Sequence, residues 1–119
     1  MDQDTMRQRT EAFGLRVIRV VESLPRSKAS TVIGNQLLRC GTSIGSNYRA
    51  ATRARSKDNF IAKLGIVEEE TDESAYWLEM LAEAGLIRPS RLGPLQRECD
   101  EILSILVGTL KTAKQRRDA

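Results

Sequence analysis

The 119 residues include no histidine, and that one absence removes the commonest general base, the commonest metal ligand and the His-dependent nucleophile arrangements together. Cysteine is nearly as scarce. Cys40 and Cys99 lie far apart and form no CxxC pair, so no zinc knuckle, iron–sulfur cluster or thioredoxin-type centre can be built from them. They read as buried thiols in a reducing cytoplasm, with a bridge between them the less favoured alternative. No apolar run approaches the roughly 18 residues of a membrane span. The richest, Ile102 to Leu110, is broken by Ser104, Gly108 and Thr109. The charged stretch Met1 to Arg9 has no apolar h-region and is not a signal peptide. A single soluble, cytoplasmic domain over 1–119 is expected, able to bury a core without metal, cofactor or disulfide.

What is present is a helical rhythm. Apolar residues recur at spacings of three and four in four stretches, and none alternates as a strand would. The first holds Met6, Phe13, Val17, Val20 and Leu24; the second holds Ile33, Leu37, Cys40, Ile44, Tyr48 and Ala51. The third runs through Phe60, Leu64, Val67, Thr71, Ser74, Leu78 and Leu81, and the fourth through Leu95, Cys99, Ile102, Leu106 and Leu110. Helices are predicted over about 4–24, 29–54, 57–84 and 91–115, each roughly 30–40 Å long. Ser56 is placed to cap the third, Gly85 to end it in a left-handed conformation, and Ser90 to cap the fourth, with Pro94 near its start. Short joints between helices of matched length give an all-α, antiparallel up-down-up-down four-helix bundle.

Other helix faces carry more than core. Opposite the core stripe, the second helix bears Arg39, Thr42, Ser46, Arg49 and Arg53, followed by Arg55 and Lys57. Guanidinium groups and hydroxyls in such a row suit phosphate contacts; they equally suit a solvated face or acids on a neighbouring helix or subunit. Beside the core stripe lie Gly34, Gly41 and Gly45, whose cost inside a helix implies close approach of another backbone, within the bundle or from another subunit. The back of the third helix carries Ile66, Glu69, Glu73, Tyr76, Trp77 and Met80. On a lone chain these apolar groups would face water, so Ile66, Glu73, Tyr76, Trp77 and Met80 are expected to form a homo-oligomer interface.

Charge is segregated as well. Arg26 to Lys63 holds eight basic residues and one acid, whereas Glu68 to Glu83 holds seven acids and no base. The overall net charge of +3 hides both. Such opposed fields steer a polyanion or pair one subunit with the next. Catalysis finds no support. Glu69 with Glu73 and Glu79 with Glu83 have helical spacing, but ferritin-like di-iron sites need inward Glu-x-x-His sets. No P-loop, dinucleotide fingerprint or GxSxG elbow occurs, and Gly41-x-x-x-Gly45 is a helix-packing spacing.

The run Gln36-Leu37-Leu38-Arg39-Cys40-Gly41-Thr42-Ser43-Ile44-Gly45-Ser46-Asn47-Tyr48, then Lys57-Asp58-Asn59-Phe60 to Leu64, then the acids from Glu68, resemble the four-helix-bundle family of 23S rRNA intervening-sequence proteins. That family is similar to the accessory variability protein of diversity-generating retroelements, a barrel-shaped homopentamer whose basic surface binds nucleic acid and a reverse transcriptase. The resemblance implies a pentameric barrel and nucleic-acid binding, and no catalytic residues. The family's glycine-rich turn after the second helix is replaced here by the basic stretch Ala50 to Arg55.

Two readings stay open. In one, a non-catalytic oligomer binds RNA or DNA through Arg39, Arg49, Arg53, Arg55 and Lys57. In the other, it is a protein-interaction scaffold or accessory subunit that binds no nucleic acid, its arginines facing acids across subunits.

Overall fold

In a computed structural model describing residues 1–119, each of the first three helices starts where a side chain can replace a missing backbone acceptor. The Asp2 carboxylate accepts the Thr5 N–H at 2.8 Å and opens α1, Gln3–Glu22. Ser27 accepts from Ser30 at 3.0 Å and opens α2, Lys28–Thr52. Ser56 accepts from Asn59 at 3.1 Å and opens α3, Lys57–Glu83, as the sequence suggests. Gly85, with φ +71°, ends α3 as expected: its N–H bonds Ala82 O and the Leu86 N–H bonds Leu81 O, each at 3.1 Å.

The fourth helix departs from expectation. α4 spans Pro89–Asp118 and starts at a proline that has no N–H to satisfy, without a side-chain cap. Ser90 is therefore inside the helix rather than capping it, and Pro94 lies in its second turn. The first helix is shorter than expected, because the chain turns at Ser23 and leaves Leu24 in the loop.

Every helix packs on its neighbour in sequence, α1 and α4 meet only sparingly, and no diagonal pair touches. The result is an up-down-up-down bundle measuring 51 × 21 × 21 Å. The predicted stripes form its core: Phe13 and Val17, Leu37 and Ile44, Leu64 and Leu78, Cys99 and Ile102 are fully buried. Thr10, Thr71 and Ser74 sit among them, each donating to a carbonyl one turn earlier, so that no buried polar side-chain atom is unpaired. Where α1 and α4 face each other, polar contacts close the bundle: Arg9 donates to both Glu98 oxygens, at 2.6 and 3.1 Å, and reaches Glu101 at 3.1 Å.

α1 and α2 press closest together. A Cβ on Gly45 would lie 3.4 Å from the Thr10 backbone, and one on Gly41 would meet both Val17 methyl groups at 2.9 Å. The glycine stripe thus serves a neighbour in the same bundle, the first of the two alternatives.

Candidate nucleic-acid interface

Antiparallel order brings the end of α2, the start of α3 and the end of α4 to one end of the bundle. An ion pair of 3.5 Å between Arg117 Nη1 and Asp58 Oδ1 pins the last turn of α4 to the first turn of α3. Residues 49–63 and 111–118 then hold nine basic side chains and two acidic ones, and the start of α1, at the same end, adds Asp2 and Asp4 with Arg7 and Arg9. Arg49, Arg53, Arg55 and Lys57 are all exposed, and none has a carboxylate within ion-pairing distance. Four cations expected to act together do lie at one place.

Reading the chain segment by segment missed the other part of this end. Lys111, Lys114, Arg116 and Arg117 are nearly sixty residues from the α2–α3 turn, and only the fold joins the two groups. The signal available was the basic C-terminal run combined with the antiparallel order.

Arg39 is a different case. It lies mid-helix, where Nη1 reaches Glu70 Oε2 at 3.3 Å and Nη2 pairs with Glu73. The expected phosphate contact is thus corrected at this position, because acids of α3 already occupy the guanidinium donors. Part of the opposed charge of α2 and α3 is spent inside the bundle.

Glu73 is engaged twice, since it also accepts the Trp77 Nε1–H at 3.0 Å. Trp77 is half-buried against its own core, and its ring meets Tyr76 edge-on at 5.0 Å and 74°. The expectation that a lone chain exposes Trp77 to water is therefore corrected: the ring lies along the α2–α3 edge, covered by its own bundle. Met80 is also half-buried. Of the five residues named for an oligomer interface, Ile66 and Tyr76 stand clearly in solvent.

Two long grooves flank the bundle. The larger, about 770 Å³, runs between α1 and α2; Thr42, Ser46, Arg49 and Arg53 form one wall, and Arg7, Glu11, Leu15 and Ile18 form the other. The second, about 550 Å³, runs between α3 and α4, with Ile66, Leu103, Val107 and Leu110 inside and Glu68, Glu69, Asp72 and Lys114 along it.

The thiols are chemically quiet. Burial pushes Cys99 up to about 12 and raises Cys40 as well, so neither carries a thiolate near neutral pH. Both are free and buried, Cys40 accepting from the Ser74 hydroxyl at 3.2 Å. No three acidic or thiol side chains converge as metal ligands would, and no helix is long and apolar enough to cross a membrane.

Fold and site together define an all-α four-helix bundle with a cationic end and quiet, buried thiols. The chain belongs to the 23S rRNA-intervening sequence protein family, whose model matches residues 3–108. It is similar to a protein of unknown function from the S23 ribosomal protein family of Bacteroides thetaiotaomicron, known from a crystal structure. The two share 32% sequence identity and a TM-score of 0.86, over 93% of this chain and 99% of that one. No curated protein matches the chain.

Proposed function

We infer that the protein is a non-catalytic, self-assembling bundle that binds RNA or DNA through phosphate contacts at its basic end. The observation that carries this reading is the meeting of Arg49, Arg53, Arg55 and Lys57, none of them ion-paired, with the basic tail of α4, where Arg117 alone is paired with acids. Such a surface gains affinity by releasing counterions from the phosphates it neutralises. Base stacking contributes little, because Tyr48 is buried and Phe60 half-buried, leaving no exposed aromatic among residues 49–63 and 111–118. Binding is therefore largely blind to sequence. A ring multiplies the basic ends around one rim, and the resemblance to the pentameric barrel supports a reading with five subunits. Free buried thiols fit a reducing cytoplasm.

The test is anisotropy of a labelled generic RNA and its DNA counterpart across a salt series. The expected result is a steep linear fall of log affinity with log salt. Changing Arg53, Arg55 and Lys57 to Glu abolishes binding at physiological salt while assembly persists. Undiminished affinity in that variant overturns the reading.

One observation favours the protein-interaction scaffold instead: Arg39 is already paired with acids, and its neighbours could be satisfied likewise across subunits. That reading expects no nucleic-acid binding, and loss of assembly in the same triple variant.

A further inference from the structure

The cations of the basic end are not spread evenly around it. Each helix carries there the charge that its dipole favours. The first turns of α1 and α3 hold the acids Asp4 and Asp58, and the last turns of α2 and α4 hold Arg49, Arg116 and Arg117. Antiparallel order then alternates the signs around the end, because α2 and α4 stop where α1 and α3 start. α2 packs on α1 and α3, α4 packs on the same two, and α2 never meets α4. The two basic helix ends stand at diagonal corners.

The free cations therefore fall into two groups. Arg53, Arg55 and Lys57 occupy the α2 corner and the turn that leaves it, and Lys111, Lys114 and Arg116 occupy the α4 corner. All six are exposed and none is ion-paired. Between the corners, on one side, Asp58 pairs with Arg117, which also holds Asp118. On the other side Asp2 caps α1 and Asp4 pairs with Arg7. Packed neighbours stand about 8–10 Å apart, which sets the diagonal at roughly 11–14 Å. A single strand reaching both corners would carry its phosphates past one of these acidic quadrants. Two strands bordering a groove would not. The major groove of B-form DNA is about 12 Å wide, and the minor groove of an A-form helix is wide and shallow.

We propose that the basic end selects duplex nucleic acid over single strands, with one phosphate strand on the α2 corner and the other on the α4 corner. The acids then face the mouth of the groove, where no phosphate lies. This inference rests on the nucleic-acid reading above and names the class of ligand for it. Charge density favours the same choice. A duplex carries one charge per ~1.7 Å of axis, and each contact contributes about −0.9 to its log–log salt slope against about −0.7 for a single strand. Single strands gain affinity by stacking on aromatic rings, and this end exposes none.

The test is anisotropy with labelled duplexes about two helical turns long, DNA in one arm and RNA in the other, each against its own single strand. At physiological salt the duplex is expected to bind at least ~10-fold tighter and to show the steeper salt slope. Lys111→Gln with Lys114→Gln clears the α4 corner, and Arg53→Gln with Arg55→Gln clears the α2 corner. Either pair removes the duplex's advantage, with helicity checked by circular dichroism. Lys114→Gln with Arg116→Gln replaces the first pair should it lose helicity. A lead of one duplex type over the other supports duplex selection and identifies the helix form. A single strand that binds as tightly as the duplex, or an advantage that survives loss of a corner, overturns the inference and leaves nucleic-acid binding standing. Absence of binding by both forms overturns the proposed function, and this inference with it.

Discussion

The α1–α2 seam and the α3–α4 seam are built from the same kinds of residue toward opposite ends. In the first, Gly14 lets α1 approach the α2 backbone at Gly41 and Thr42, while a methyl added at Gly41 would meet Val17 and one at Gly45 the Thr10 backbone. In the second, Gly65 and Gly108 stand over open space beside Ile66 and Val107. A glycine within a helix is equally costly in both places, so what differs is where the compensating contact lies. In the first seam it lies inside the chain. In the second nothing inside the chain supplies it.

The contrast breaks most severely at Gly41. Gly41→Leu forces four heavy atoms into space filled by Val17, and urea unfolding is expected to show a loss of about 2–3 kcal/mol. An unfolding midpoint left in place would mean that the α1–α2 seam is not tightly packed. The α1–α4 seam supplies an intermediate case, joined by Arg9 to Glu98 and Glu101 rather than by apolar packing. Arg9 and Glu98 are about four-fifths buried, and removing the guanidinium leaves two acids facing each other. Arg9→Ala should cost about 1–2 kcal/mol by the same measurement.

Opposite in sign is the change at the open glycines. Gly108→Ala is expected to raise folding stability by about 0.5–1 kcal/mol. Destabilisation there would show that Gly108 is already packed within the chain.

The smallest effect concerns the start of α1. Asp2 accepts the Thr5 N–H, which holds its carboxyl below the usual 3.8. A depressed carboxyl stabilises above its unfolded value and stops doing so as pH falls through the folded one. Protection of the Thr5 amide from exchange, referred to its intrinsic rate at each pH, should therefore fall below about pH 3.8, and Asp2→Asn should flatten that dependence. Equal acid fraying in Asp2→Asn would assign the effect elsewhere.

The sequence alone determined the parts of this protein that rest on local physics. Apolar spacing identified four helices and nearly all of their buried stripes, including Thr71 and Ser74, because a 3.6-residue period writes the inward face directly into the chain. Ser56 and Gly85 were readable for the same reason: a cap is chemistry within a few residues of its helix end. Ser90 misled because a proline at the close of a joint can itself begin a helix.

Only the tertiary structure decided which charges remain available. Arg39 and Arg49 belong to one stripe and look equivalent along it, yet one is tied to Glu70 and Glu73 while the other faces an open groove. Trp77 looked exposed on a helical projection and is half-covered, because its ring packs against the core while its Nε1–H bonds Glu73 one turn back. The basic end joins Lys57 to Arg116 and Arg117 across half of the chain length. A periodic pattern tells each helix which face turns inward; it carries no information on which neighbour's charge will stand opposite, and that depends on how the helices are ordered and staggered around the core.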